Sequence, residues 1–222
     1  MIQHVIFDLD GVLFDGCDFH RDMFIAAVSL IRPDIHISNE YHWAHLNALS
    51  TRKKLEVLDI GNDSEAIFAK KQELARSTIK GYIQYDEKVF GICKALVSYG
   101  YNIYCVSNSI RSTVETCLSG MGVIHLFTSI ISNEDTLAPK PSPEPYLTLY
   151  RKHGLDPREC LILEDSDHGV QSAQKSGGNV LRVRNCSDVT LAAIMGEIAR
   201  LQITPDATLL PECGSTCLVG RC

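Results

Sequence analysis

The tetrapeptide Asp8-Leu9-Asp10-Gly11 places two carboxylates two residues apart, directly after the apolar run Val5-Ile6-Phe7. Such a run predicts a buried strand, and ligands of open parallel sheets bind just beyond the carboxyl ends of the strands. One carboxylate there can attack an electrophile or hold a metal ion while the other transfers a proton. Asp and Gly are also common turn residues, so this motif alone is equally compatible with a simple turn.

Polar residues also follow three later apolar segments. Ser107-Asn108-Ser109 follows one run, Glu164-Asp165-Ser166 follows another, and Lys140 lies in the stiff loop Ala138-Pro139-Lys140-Pro141. If the runs are strands of one parallel sheet, these clusters meet at one edge. A nucleophile, oxygen ligands for Mg²⁺, hydrogen-bond donors and a cation are what phosphoryl transfer requires. Four coincident motifs therefore argue against the turn-only interpretation.

The elements that must position these clusters alternate along the chain. After a strand over 3–8, helical periodicity predicts four helices, over 21–31, 39–49, 51–58 and 63–80. Further helices are predicted over 87–99, 112–120, 144–153, 169–176 and 189–200, and further strands over 102–106, 129–132, 160–163 and 180–183. Strands that alternate with helices predict βαβ units, so we expect an α/β fold with a parallel sheet and a helical insert after its first strand.

Composition narrows the class of protein. A chain of 222 residues can form one large core and a second small domain. The hydrophobic content of 45% and the charged content of 22% are typical of a globular protein, and the net charge of −6 argues against a nucleic-acid partner. No apolar run approaches the roughly 20 residues of a membrane span, and the N-terminus lacks a signal pattern. We therefore predict a cytoplasmic protein without a membrane partner.

The nine cysteines are an odd number, so they cannot all pair within one chain. Six are predicted to be small buried residues: Cys17, Cys93, Cys105, Cys117, Cys160 and Cys186. Cys213, Cys217 and Cys222 lie close together near the C-terminus, where a reduced tail is favoured over a metal clip.

The four clusters resemble the signature motifs of the haloacid dehalogenase (HAD) superfamily. The matching segments are Asp8-Leu9-Asp10-Gly11, Val106-Ser107-Asn108, Lys140-Pro141 and Glu164-Asp165-Ser166. Residues 8–15 with His20, residues 140–146 and residues 164–177 resemble in particular its β-phosphoglucomutase and phosphoglycolate phosphatase branch. The resemblance implies a Rossmann-like core of residues 1–16 and 83–210 and an inserted α-helical cap of residues 17–82. The resemblance covers nearly the whole chain and leaves out only the cysteine-containing tail, residues 211–222.

The resemblance also implies roles for individual residues. Asp8 is expected to be the nucleophile that forms an aspartyl-phosphate, and Asp10 the general acid and then the base. Ser107, Asn108 and Lys140 are expected to bind the phosphoryl group. Mg²⁺ is expected to be held by the Asp8 carboxylate, the Asp10 carbonyl and Asp165, with Glu164 as a ligand or a supporting group. The implied substrate is a small phosphorylated metabolite, and a monomer or weak homodimer is expected.

Two residues of the predicted cap are candidates for substrate contact. His20 is expected to touch substrate or orient Asp10, and Arg52 to bind a second anionic group. A surface or interdomain histidine and an exposed basic helix start are equally weighted alternatives. A Schiff base on Lys53 or Lys54, for phosphonate cleavage, ranks low because lysines on helix faces are usually solvated. His42 and His45, three residues apart, are more typical of a packed or exposed helix face than of a metal site.

Some positions distinguish activities within the superfamily. Asp10 argues against dehalogenation, since expelling halide requires no proton. Gly16 stands where sugar-phosphate mutases usually carry a hydroxyl residue, and Ala138-Pro139 replaces their glycine-containing approach to the lysine. We therefore predict a Mg²⁺-dependent phosphatase, with an intramolecular phosphomutase as the second hypothesis. A catalytically silent binding protein is the third, and nothing in a binding role requires the acid pair.

Overall fold

The computed structural model describes residues 1–47 and 49–203, which contain a parallel sheet at the centre of an α/β fold. Its strands are β1 (His4–Phe7), β2 (Asn102–Val106), β3 (Ser129–Ile131), β4 (Cys160–Glu164) and β5 (Asn179–Arg182). The spatial order is β3-β2-β1-β4-β5, so β1 is central, and each of its residues is buried. From β1 the chain adds β2 and β3 on one side and then crosses to add β4 and β5 on the other side. Open α/β sheets form ligand sites where the strand order reverses in this way.

The helices of the described residues are α1 (Cys17–Ile31), α2 (Asn39–Tyr41), α3 (Thr51–Val57), α4 (Ser64–Thr78), α5 (Glu87–Ser98), α6 (Arg111–Gly120), α7 (Glu144–His153), α8 (Asp167–Lys175) and α9 (Leu191–Ile203). Side chains of β1 alternate between two apolar layers, as strand geometry requires. Val5 and Phe7 face the layer formed by α5, α6 and α9. Ile6 faces the layer formed by α7 and α8. The predicted α/β fold with a parallel sheet is therefore confirmed.

Helices α1 to α4 follow β1, and residues of α1, α3 and α4 form a second apolar cluster. Its largest buried members include Phe24 of α1, Leu55 of α3 and Ile67 of α4. The helix predicted over 39–49 is shorter and changes type: after α2 the chain continues as a π-helix, His42–Leu46, and becomes extended at Asn47. The hydrogen bond from Asn47 N–H to the carbonyl of His42, 2.8 Å, closes this wider turn.

Other predicted boundaries lie within a few residues of the observed ones, except that α1 begins at Cys17 and not near residue 21. Cys93, Cys105, Cys117 and Cys160 are buried, as predicted. The prediction was wrong for two cysteines, since one is exposed and one is half-buried: Cys17 and Cys186. Both lie at the ends of elements, the first starting α1 and the second in a turn after β5, where packing is incomplete.

The boundaries of 1–16 and 83–210 for a core and 17–82 for a cap remain a prediction. The tail, 211–222, lies outside the described residues, as do its three cysteines. In the part of the chain that the structure describes, no helix is both long and apolar enough to cross a membrane.

Candidate active site

A single ammonium group joins the carboxyl ends of the three central strands. In the sheet register, Phe7 is paired with Cys105 on one side and with Leu163 on the other, so Asp8 lies beside Val106 and Glu164. Lys140 Nζ donates to Asp8 Oδ1 at 2.8 Å, to the Val106 carbonyl at 2.7 Å and to Glu164 Oε1 at 2.5 Å. An ammonium has three N–H donors, so all of them are used.

The backbone of Lys140 is held by the loop that follows β2. Its N–H donates to Asn108 Oδ1 at 2.9 Å, and Asn108 Nδ2 donates to its carbonyl at 3.2 Å. The peptide bond between Lys140 and Pro141 is cis. Tyr146, in the first turns of α7, donates its hydroxyl hydrogen bond to Glu164 Oε1 at 2.5 Å. The lysine is therefore fixed at both its backbone and its charged end.

Burial and neighbouring opposite charges shift the pKa values of Asp8 and Lys140 in opposite directions. Burial raises the pKa of Asp8 well above its usual value, although the ammonium of Lys140 lowers it. Burial alone would lower the pKa of Lys140, but Asp8 and Glu164 outweigh that effect, and its pKa lies well above the usual value. Lys140 is thus a permanent cation at neutral pH, whereas Asp8 needs further positive charge to be fully ionised.

Asp10 is held by hydrogen bonds from two sides. His20 Nε2 lies 2.8 Å from Asp10 Oδ1, and the Ser109 hydroxyl donates to Asp10 Oδ2 at 2.9 Å. Lys71 Nζ lies 3.3 Å from His20 Nδ1. An ammonium can only donate, so a hydrogen bond at this distance requires that Nδ1 accepts and that Nε2 carries a proton directed at Asp10. Burial raises the pKa of Asp10, but His20 and Ser109 outweigh it, so the net pKa is lowered.

Three carboxylates next to this network can share a cation. Oxygen atoms of Asp8, Glu164 and Asp165 lie within 4.8 Å of one another. Glu164 is fully buried, and its Oε2 has no hydrogen-bond partner in the structure. Burial, and then the charge of Glu164, raise the pKa of Asp165 to about 6. An orphaned buried oxygen within an all-oxygen donor set fits a hard divalent cation such as Mg²⁺.

Gly11 makes room for this acidic cluster. A Cβ atom built on it would lie 2.0 Å from Asp165 Oδ2, and its φ of 84° is in the region that side chains rarely adopt. The turn after β1 therefore requires glycine both for its backbone conformation and for the close approach of a carboxylate from β4.

The structure brings some predicted residues together and not others. Asp8, Lys140 and Glu164 form one hydrogen-bonded network at the sheet edge, and Asp10 is held separately by His20 and Ser109. The buried Ser107 lies at that edge too, and its Oγ accepts from Ser109 N–H at 3.0 Å. Arg52 stands apart: it forms an ion pair with Glu65, lies 4.4 Å over the Phe68 ring, and its side chain is 60% exposed.

Sequence reasoning gave no role to Ser109, Tyr146 or Lys71. Ser109 had a signal, since it ends a hydroxyl-rich cluster after β2. Tyr146 and Lys71 lie on the buried sides of α7 and α4. A hydroxyl or an ammonium on an apolar helix stripe requires a polar partner, and that requirement is the signal that could have identified them.

Comparison with known proteins identifies the family. Residues 5–183 match the family model described as haloacid dehalogenase-like hydrolase. Fructose-1-phosphate phosphatase YqaB of Escherichia coli is 24% identical over 187 residues, which cover 81% of this chain and 95% of that protein. Phosphoglycolate phosphatase of Yersinia pseudotuberculosis is 27% identical over 194 residues, which cover 79% of this chain and 78% of that protein.

Solved structures show the same fold. A β-phosphoglucomutase of Clostridium difficile superposes on this protein with a TM-score of 0.74 at 18% sequence identity. The superposition covers 92% of this chain and 100% of the β-phosphoglucomutase chain. The fold and the family match over residues 5–183 therefore agree with the resemblance found in the sequence. The chain is a hydrolase that belongs to the haloacid dehalogenase-like family.

Proposed function

We propose that this hydrolase releases inorganic phosphate from a small phosphate monoester through a covalent phosphate on Asp8. One observation carries the proposal: Lys140 links the Asp8 carboxylate to Glu164, while a second, separately held carboxylate, Asp10, lies two residues further along the chain. A nucleophile beside a fixed cation and a nearby proton carrier are the groups that phosphoryl transfer requires. The phosphatase names of two relatives support the reaction class.

In the first step an Asp8 oxygen attacks phosphorus, and the bond from phosphorus to the alcohol oxygen breaks. The Asp8 Oδ1 that accepts from Lys140 is held in place, and the other carboxylate oxygen is left for attack. Lys140, together with Ser107, is proposed to stabilise the negative charge on the transferring oxygens. The Asn108 side chain contributes by positioning the Lys140 backbone.

Asp10 is proposed to supply a proton to the departing alkoxide. In the free protein its lowered pKa favours the carboxylate, which accepts from His20 and Ser109. A phosphate dianion bound nearby raises the pKa of a carboxylic acid, so substrate favours the protonated form of Asp10. After the alcohol leaves, the Asp10 carboxylate can take a proton from the water that cleaves the aspartyl-phosphate. His20 would orient Asp10 through its Nε2 proton.

A divalent cation is proposed as the cofactor. Asp8, Glu164 and Asp165 would hold it, with the Asp10 carbonyl as a further ligand. When bound, Mg²⁺ supplies positive charge that favours ionised carboxylates and offsets the charge of the phosphate. Without a cation the pKa values of Asp8 and Asp165 are raised, which agrees with a requirement for added positive charge at this position.

The test is phosphate release from a panel of phosphate monoesters, with Mg²⁺ and with EDTA. We expect Mg²⁺-dependent release by the unmodified protein and none by Asp8→Asn, because an amide cannot attack phosphorus. Asp18→Asn is the matched control, since this acid is 68% exposed and pairs with Arg21 outside the network. Release by Asp8→Asn at a rate near that of the control would refute the mechanism. An isomerised ester in place of free phosphate would identify a phosphomutase.

A further inference from the structure

One oxygen of the buried Glu164 carboxylate receives two hydrogen bonds, and the other receives none. Lys140 Nζ and the Tyr146 hydroxyl both donate to Oε1, each at 2.5 Å, whereas Oε2 has no partner among the described residues. A carboxylate oxygen accepts along two lone-pair directions. The protein therefore saturates Oε1, and a cation that binds Glu164 is left with Oε2.

Tyr146 contacts both charged groups of this pair. Its side chain is completely buried, its hydroxyl reaches Glu164, and the Lys140 ammonium lies 5.2 Å from the centre of its ring. The face of an aromatic ring carries partial negative charge and attracts an ammonium. The ring thus contributes to the packing around Lys140 independently of its hydroxyl, and removing the hydroxyl oxygen alone separates the two contributions.

Helix α8 limits how the Glu164 carboxylate can turn. A Cβ atom built on Gly169 would overlap this carboxylate, so the backbone of α8 lies directly against it. With that backbone on one side and two donors on Oε1, rotation of the carboxylate would break at least one hydrogen bond. The direction of Oε2 is therefore set before any ion binds.

We propose that Tyr146 is a positioning residue that, together with Lys140, restricts Glu164 to one oxygen for the cation and makes the site prefer Mg²⁺ or Mn²⁺ to Ca²⁺. Mg²⁺ requires near-octahedral coordination, whereas Ca²⁺ accepts more ligands, including carboxylates that bind through both oxygens. A carboxylate with one oxygen already saturated suits the first ion better than the second. This inference rests on the cation site of the proposed phosphatase function and adds a residue that determines its selectivity.

The test is direct cation binding by the full-length protein without substrate. Mn²⁺ is titrated, its free fraction is measured by electron paramagnetic resonance, and Mg²⁺ and Ca²⁺ are added separately as competitors. We expect Tyr146→Phe to weaken Mn²⁺ binding by about tenfold or more, as is typical when the hydrogen-bond partner of a metal ligand is removed. The ratio of the Ca²⁺ to the Mg²⁺ dissociation constant should fall by about threefold or more, because Oε1 becomes available as a second ligand atom.

Tyr150→Phe is the matched control. Tyr150 lies one turn further along α7, is 5% exposed, and its hydroxyl is 3.0 Å from Ser176 Oγ. The change removes the same group at similar burial, with a serine in place of a carboxylate as its partner. It should leave the Mn²⁺ dissociation constant and the ratio of the Ca²⁺ to the Mg²⁺ dissociation constant unchanged, whatever it does to thermal stability.

A second measurement applies if Tyr146→Phe does not fold. 3-Fluorotyrosine placed at position 146 keeps the hydroxyl and supplies a fluorine resonance beside the Glu164 carboxylate. This resonance should shift when Mg²⁺ alone is added, and the same label at position 150 should not respond. A resonance at position 146 that does not move overturns the positioning role.

The outcomes separate this role from the function on which it rests. If the unmodified protein binds Mn²⁺ but Tyr146→Phe keeps either its affinity or its ratio of dissociation constants, the positioning role is wrong and the phosphatase proposal stands. Equal losses in Tyr146→Phe and Tyr150→Phe assign the effect to packing and also overturn the role. Absence of Mn²⁺ binding by the unmodified protein refutes the cation site and the positioning role with it. If Mg²⁺-dependent phosphate release is absent as well, the phosphatase function fails too.

Discussion

Replacing Lys140 with methionine should cause a large and pH-dependent loss of stability. Methionine has a similar length but no charge, and the side chain that it replaces is 4% exposed. The change leaves a carbonyl and two carboxylates without their shared donor, and the Glu164 side chain is fully buried. Breaking a buried ion pair by removing one partner costs about 3–5 kcal/mol. We expect a loss of that size in the free energy of unfolding at pH 8 without divalent cations.

The loss should shrink at lower pH. The pKa of Asp8 is already raised by burial, and without the ammonium of Lys140 it rises further. A folded state with a raised carboxylic acid pKa binds more protons than the unfolded state, so its stability increases as pH falls toward the unfolded value. At pH 5 the variant should therefore recover part of its stability relative to the unmodified protein.

Denaturant unfolding in EDTA measures both quantities. Lys152→Met is the control, because Lys152 also follows β3 but its ammonium is exposed and donates to the Ser129 hydroxyl at 3.3 Å. This control should change the free energy of unfolding by less than about 0.5 kcal/mol. If Lys140→Met costs less than about 1 kcal/mol at pH 8, the ammonium does not compensate the two carboxylates as argued from burial.

Two further predictions concern the acidic cluster and the helical insert. Gly11→Ala should raise the Mg²⁺ concentration for half-maximal activity by about tenfold or more, because its methyl group would collide with Asp165, a carboxylate of the proposed cation site. Gly61→Ala, which shares a positive φ but has open space around it, should leave that concentration unchanged. Burial lowers the pKa of His42 to about 4 from 6.5, so the unfolded state binds an extra proton between these pH values and stability falls as pH falls through them. From pH 7 to pH 4, the unfolding free energy of His42→Gln should decrease by about 3 kcal/mol less than that of the unmodified protein. An unchanged pH dependence would contradict the lowered pKa of His42.

The sheet and the residues at its edge could be predicted because both depend on short stretches of sequence. An apolar run buried on both faces is a parallel strand, and the residues that end it must lie at the carboxyl edge. Asp8 and Glu164 follow from this rule without knowledge of any other contact. The same reasoning placed Lys140 at this edge but did not predict which groups it contacts. Its three acceptors belong to three strands, and their distances depend on the register between β1 and its neighbours, which sequence spacing does not encode.

The helical insert was harder because its helices meet the site through their packing. In α4 the buried positions Ile67, Lys71 and Ala75 recur every four residues, so the lysine lies on the apolar stripe. Lys71 received no role from the sequence, and the residue that was predicted to bind an anionic group, Arg52, forms an ion pair with Glu65 at the surface. A charge that interrupts an apolar stripe cannot be moved to solvent without exposing the stripe, so the folded chain must hold it inside and supply a partner. For Lys71 that partner is the imidazole of His20, which also lies within hydrogen-bond distance of Asp10, and this chain of contacts connects α4 to the carboxyl edge of the sheet.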